Sequence, residues 1–362
     1  MMRVGRIRSK KMMTRRQILG AAGAASAWMA TCNAQAQTAS KRLANLGGAP
    51  AGFPIRTRAG RGGAQPFDFV THCHNLGLGV VETRLPGTDA DTIKTLRQKV
   101  EGYHMRLILD VGYPRDEGGV GVFDASVKAA SECGAISLHA AMTGRRYEDM
   151  NSFEEFRQNF ERCQKSIALA EPILRKYRMR LGIENHKGWR SAEQAAWLKR
   201  VSSEWVGVHF DFGNNVALCE DPAATLRNLL PYTFACHIKD MAVEPYQDGF
   251  LLSEVPLGEG FLDIKGMVAT LRQKDPNMPF DLEMITRDPL KVPVLTDKYW
   301  VSFDDTYSPL PGRDFARIVA LVNRNKPKAP LPRTTGMSPE AQLKLEDECI
   351  AKSIEYARTI LG

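Results

Sequence analysis

Glu184, Asp211, His237 and Glu283 each lie at the end of a short, apolar, β-rich run. They stand 27, 26 and 46 residues apart. The first two intervals each equal one strand-plus-helix repeat, which puts the side chains at equivalent heights on neighbouring strands; the third is lengthened by an insertion at 241–260. Three carboxylates and an imidazole converging on one point would repel one another and be costly to bury without a cation. Such an oxygen-rich set suits Mn²⁺ first, with Mg²⁺, Co²⁺ or Zn²⁺ also compatible. One strand-end carboxylate alone would read as a helix cap or an ion-pair partner. Four in succession read as a metal centre.

Residues two apart on a strand point the same way, so each candidate ligand has a companion. His186 accompanies Glu184, His209 accompanies Asp211, and Lys239 accompanies His237. Lys239 suits donation to a developing oxyanion, or fixing a ligand carboxylate; its structural alternative is an ion pair with Asp240 or another acid. His186, His209, Asp110 and His139 suit contacts with substrate, His139 reading equally well as a satisfied core histidine. Glu82 and Arg84 share the inward face of an early strand, where they could pair. Trp189, Arg145, Arg146, Tyr147, Arg287, Lys291 and Trp300 are loop residues of the types that hold sugars by stacking and hydrogen bonding. The arginines could also receive a carboxylate or phosphate, although no glycine-rich phosphate cradle accompanies them.

These residues need a scaffold that gathers strand ends from all round a ring. Apolar β-rich runs occur at 79–85, 105–111, 135–139, 180–186, 206–211, 234–239 and 279–285, and a run at 51–57 would be the first of eight. Amphipathic stretches at 152–177, 191–201 and 222–230 lie between them. Alternation of this kind implies parallel strands covered by helices, and its rhythm is that of a (β/α)₈ TIM barrel. An open doubly wound sheet is the runner-up, disfavoured because no glycine-rich turn follows the early strands. The expected organisation is a signal at 1–36, an N-terminal segment with the first strand at 37–65, the barrel at 66–300, and a C-terminal extension at 301–362. The extension is loop-rich and ends in a helix with Ser338 as N-cap and Pro339 at its first position.

The segments Ile183-Glu184-Asn185-His186, Phe210-Asp211-Phe212-Gly213-Asn214, His237-Ile238-Lys239-Asp240, Pro256-Leu257-Gly258-Glu259-Gly260 and Leu282-Glu283-Met284 resemble the motif series of the xylose isomerase-like TIM barrel superfamily, and within it the sugar phosphate isomerase/epimerase group. The resemblance covers about residues 66–285. It implies that Glu184, Asp211, His237 and Glu283 bind one divalent ion gripping two adjacent sugar oxygens. It also implies that Glu184 and Glu283 move a proton on opposite faces of the substrate, by way of an enediolate. A lyase or dehydratase acting on a keto-sugar or 3-keto-glycoside would begin with the same proton removal. A noncatalytic sugar-binding barrel is the alternative from another class. Endonuclease IV shares the barrel, but its extra histidine three residues after the aspartate is Asn214 here, and no Asp-x-His follows the His237 motif.

The chain has 362 residues, 43% hydrophobic and 25% charged, a composition that excludes a disordered chain or a small disulfide scaffold. Its formal charge of +8 invites a nucleic-acid reading. Seven basic and no acidic residues fall within 1–36, however, and removing them leaves 42 basic against 41 acidic groups. The remainder lacks the basic footprint of a nucleic-acid partner. Arg15-Arg16, an apolar run at 18–30 and Ala34-Gln35-Ala36 follow one another in the order of a twin-arginine export signal. The translocase is thus an expected partner, and the expected location is periplasmic or otherwise extracytoplasmic; lipid anchoring at Cys32 is the alternative. The seven cysteines form no C-x-x-C pair, which fits folding in a reducing cytosol before export. Export favours a nonphosphorylated sugar or glycoside as substrate, and homo-oligomerisation is left open.

Overall fold

The computed structural model describes residues 42–60, 67–303, 310–327 and 330–362. The export signal and Cys32 lie outside the described residues. Eleven strands are described: β1 (Leu46–Gly48), β2 (Val80–Arg84), β3 (Arg106–Asp110), β4 (Ser137–Ala140), β5 (Leu181–Glu184), β6 (Val206–Asp211), β7 (Thr233–Ile238), β8 (Asp240–Tyr246), β9 (Gly249–Val255), β10 (Phe280–Leu282) and β11 (Leu290–Val292). Eight of them pair in parallel in the order β1-β10-β7-β6-β5-β4-β3-β2. A bridge between Leu43 and Leu78 returns β2 to the side of β1, and the Gly79 N–H donates to the carbonyl oxygens of Leu43 and Leu46. The result is a nearly closed TIM barrel with helices alternating around it.

The helices form where the sequence supplies both an apolar face and a start signal. Phe153–Tyr177 begins at Ser152, whose hydroxyl accepts the Glu155 N–H at 3.1 Å, and carries Glu154 and Glu155 in its first turn, where the helix dipole favours acid. Its buried face, Phe156, Phe160, Cys163, Ile167, Ala170 and Leu174, packs towards the barrel at helical spacing. Asp221 caps Pro222–Leu229 in the same way, with proline at the first helical turn. The terminal helix Pro339–Leu361 starts at Ser338, as expected. It sends Glu346 against the helix Pro54–Gly60, where the carboxylate accepts the N–H groups of Ile55 and Arg56, both at 2.8 Å.

Two expectations change. The run at 51–57 is not a strand; it holds a 3₁₀ turn, Pro50–Gly52, and the start of the helix Pro54–Gly60, because each proline presets a helical first position. The first strand is Leu46–Gly48, whose two glycines disguise it. A Cβ on Gly47 would lie 2.0 Å from Asp281 Oδ1 and 2.7 Å from Val80 Cβ, so only glycine lets the strand approach its neighbours here. The insertion at 241–260 is an antiparallel hairpin of β8 and β9, extended by β11 into a three-stranded sheet. The loop that follows wraps around Asp240, whose carboxylate accepts the N–H groups of Met241, Gly258, Gly260 and Leu262 at 2.8 to 3.2 Å.

Candidate active site

The inward-facing ends of the barrel strands meet at the floor of a cavity of about 1180 Å³, lined among others by Glu82, Asp110, His139, Glu184, His186, Lys187, His237, Lys239 and Glu283. Glu184 ends β5, Asp211 ends β6, His237 is the second-to-last residue of β7, and Glu283 follows β10. Potential ligand atoms of these four all lie within 4.8 Å of one another. Neighbouring groups fix each one. Glu184 accepts from Asn214 Nδ2 at 2.7 Å and stands 3.4 Å from His139 Nε2, which in turn is tied through Nδ1 to Asp110 at 2.6 Å. Asp211 Oδ1 accepts the N–H groups of Gly213 and Asn214 at 2.9 and 2.7 Å. His237 Nε2 bonds to Glu82 at 2.9 Å.

Lys239 is almost fully buried and pairs with Asp211 at 2.5 Å and with Glu283, not with Asp240. It therefore joins two of the four candidate ligands. Burial works against its charge, but Asp211 and Glu283 overcome that cost and raise its pKa. Burial likewise opposes ionisation of Glu283, yet Lys239 and His237 hold it down at about 2. Glu184 stays well below the usual carboxylate range against the same burial, through His139, His186 and His237. Asp211 goes the other way: burial, with Glu283 and Glu184 close by, pushes it up to about 6 despite Lys239. Burial disfavours the His237 imidazolium, but Glu82 and Glu283 raise it to about 10.

The donor set fits a divalent cation. His237 Nδ1 is buried without a hydrogen-bond partner and stands 3.8 Å from Glu283 Oε2, on the side away from Glu82. A second group orienting the far nitrogen is the usual support of a ligating histidine. Glu184, Asp211, His237 and Glu283 are the residues that would hold the ion.

Other expected residues fall in different places. His186 lines the cavity, with Nδ1 bonded to the Gly144 carbonyl at 3.1 Å. Asp110 and His139 line it too. His209 does not: it is fully buried beneath the site, against the rings of His139 and His237. Trp189 is also no sugar platform. It is 1% exposed and packs at 5.2 Å from both Phe160 and Trp197 in the aromatic core behind the barrel. Arg146 and Tyr147 are equally buried, Arg146 lying between the rings of Phe156 and Phe303 and bonded to Glu193. The Trp300 indole donates to the Val294 carbonyl, and Lys291 points outward from β11. Arg287 and Arg145 line the cavity, held by Glu254 and Glu148. Glu82 pairs with histidines rather than with Arg84.

Lys187 was missed from the sequence, and Asn214 was recognised there only as part of the Asp211 motif; both adjoin the candidate ligands. Lys187 is buried, lines the cavity and donates to Asn214 Oδ1, and Asn214 in turn donates to Glu184. Burial, with Lys239 nearby, lowers the Lys187 pKa to about 8. Its position directly after the Glu-Asn-His segment was the available signal.

A family model described as Xylose isomerase-like TIM barrel matches residues 70–300, and the chain belongs to that family. Among curated proteins, SgbU of Escherichia coli (strain K12), provisionally named an L-ribulose-5-phosphate 3-epimerase, is 33% identical over 99 residues. That match covers 27% of this chain and only 34% of the relative's length. Among solved structures, D-psicose 3-epimerase crystallised in the presence of D-fructose is similar with a TM-score of 0.54 at 14% identity, over 88% of this chain and 99% of that one. L-ribulose 3-epimerase gives 0.50 at 13% identity, over 87% and 96%. The IOLI protein with a bound zinc atom gives 0.50 at 16%, over 78% and 99%. At these identities the structural likeness speaks for the fold alone.

Proposed function

We propose that the protein is a divalent-metal-dependent sugar isomerase or epimerase, with Mn²⁺ as its ion, that removes a proton from the carbon beside a carbonyl and returns one through an enediolate. The observation that carries this reading is the pair Glu184 and Glu283. Both are buried at the cavity floor, they come from strands three places apart in the ring, and both are held in the ionised form that a base requires. The ion would supply an electrophile for the substrate oxygen on which charge collects. One glutamate takes the proton, and the other, once it has itself taken a proton from water in the cavity, returns one to the opposite face. His139, anchored by Asp110, orients Glu184, and Lys239 orients Glu283 while keeping its charge. From the cavity wall Lys187 offers a donor to sugar hydroxyls, and His186, whose Nδ1–H goes to the Gly144 carbonyl, offers Nε2 as an acceptor. The epimerase name of the curated relative supports this class of reaction without fixing the substrate.

The basic, alanine-rich residues 1–36 support export by the twin-arginine route, after metal loading in the cytosol where ion availability decides occupancy. The six cysteines among the described residues are buried free thiols, compatible with folding under reducing conditions. Incubation with Mn²⁺ and a panel of nonphosphorylated keto-sugars in D₂O is expected to place deuterium beside the carbonyl and to yield an epimer. Loss of water or of an aglycone without an epimer would move the protein to the lyase reading. Full turnover by Glu184→Gln and Glu283→Gln would leave only a sugar-binding barrel.

A further inference from the structure

Beneath the four candidate ligands lies a second group of ionisable side chains that the proposed reaction does not use. Glu82, His209 and Asp281 offer ligand atoms within 4.8 Å of one another and are 2%, 0% and 0% exposed. Asp281 has no hydrogen-bond partner on either carboxylate oxygen, and neither ring nitrogen of His209 makes a hydrogen bond, Glu82 Oε2 standing 3.7 Å from Nε2. A buried carboxylate with no donor costs several kcal/mol, as does an unsatisfied imidazole, though less. His209 and Asp281 are too far apart to satisfy each other, yet still within 4.8 Å. Two ligands on opposite sides of an ion with bonds of about 2.0–2.2 Å stand roughly 4 Å apart. The barrel also makes room for this group, since any side chain at position 47 would collide with Asp281.

We infer that Glu82, His209 and Asp281 form a second, deeper site for a small divalent cation, distinct from the site at the cavity floor. Two carboxylates and one imidazole suit Zn²⁺ or Mn²⁺. No ligand is shared between the two sites, but they touch, because Glu82 also accepts the His237 Nε2–H. Glu82 lines the cavity, so a cation could reach the deeper site from the mouth. An ion there would satisfy Asp281 and His209 and would fix the carboxylate that orients His237.

The full-length protein, stripped with chelator and dialysed against MnCl₂ or ZnCl₂ alone, is expected to retain two metal equivalents by elemental analysis. Asp281→Asn and Asp211→Asn are each expected to retain one. A wild type holding one equivalent, or an Asp281→Asn variant still holding two, overturns the second site and leaves the first standing. A wild type holding none overturns both. Should Asp281→Asn not fold, anomalous diffraction from wild-type crystals decides: a peak between Glu82, His209 and Asp281 is expected, and a water or no peak there overturns the inference.

Discussion

The inside of the barrel has two ends of opposite character, one pleat apart on the same strands. At the base, Val80, Ile108 and Ala235 pack against one another with at most 1% exposure. Two residues further along β2, β3 and β7, on the same inward face, stand Glu82, Asp110 and His237. One step of the pleat thus exchanges a dry apolar plug for carboxylate and imidazole. The base gains from burying hydrocarbon and has nothing to react with. The mouth concentrates charge that water no longer solvates, held by Lys239, by backbone N–H groups and by one carboxylate on another's histidine. Substitutions at the two ends should therefore be read out differently, in rate at the mouth and in stability at the base and in the outer core.

The largest expected effect is at the mouth. Glu184→Gln keeps the shape of the side chain and its contact with Asn214, but removes a base, so turnover in the D₂O exchange assay should fall by about 10²–10⁴-fold. Unchanged turnover would break the comparison at its strongest point. Next comes the aromatic core. Trp189→Ala should cost about 3–5 kcal/mol of stability in denaturant unfolding, because it opens a cavity against Phe160 and Trp197. KM of the folded fraction should stay the same, and a rise in KM without loss of stability would return Trp189 to the sugar site.

A smaller effect follows from titration. His237 is raised from 6.5 to about 10 in the metal-free protein, so its charged form contributes stability that is complete below about pH 6.5 and is lost as pH rises through 10. Asp211, raised from 3.8 to about 6, acts in a separate, lower window, stability falling as it is forced to ionise. Tm measured in chelator from pH 6 to 10.5 should therefore decline. Saturating Mn²⁺ should flatten the decline, because a ligating histidine is already neutral. Glu82→Gln removes the strongest favourable partner and should move the loss to lower pH. A flat profile in chelator would mean that His237 carries no charge there.

The same contrast explains what was legible beforehand. Spacing exposed Glu184, Asp211 and His237 because β5, β6 and β7 are regular repeats with their chemistry at the C-terminal ends, and Glu283 stands in the same place after β10, beyond the hairpin insertion. The first strand was hidden because Gly47 and Gly48 serve close approach, whereas propensity treats glycine as a breaker. Trp189, Arg146 and Tyr147 were misplaced because a polar or aromatic residue in a loop looks the same in sequence whether it faces a cavity or closes a core. Only the packing separates the two: Trp189 against Phe160 and Trp197, Arg146 against Phe156 and Phe303, Tyr147 against Tyr299. The pairing of Glu82 with histidines on β4, β6 and β7, rather than with Arg84 on its own strand, is a property of ring closure that no local pattern contains.

The finest test lies at the base. Ile108 is fully buried, and Ile108→Val removes one methylene from a cluster whose other members are Val80 and Ala235. The expected cost is about 0.5–1.5 kcal/mol, visible as a small drop in denaturant midpoint with an unchanged slope. Activity should stay within twofold, because β3 keeps its parallel register with β2 and β4 and so keeps Asp110 against His139. If kcat fell tenfold while stability moved this little, the plug would be setting the height of Asp110, and through His139 the position of Glu184. The base would then be part of the catalytic apparatus, and one pleat would be too short a distance to separate packing from chemistry.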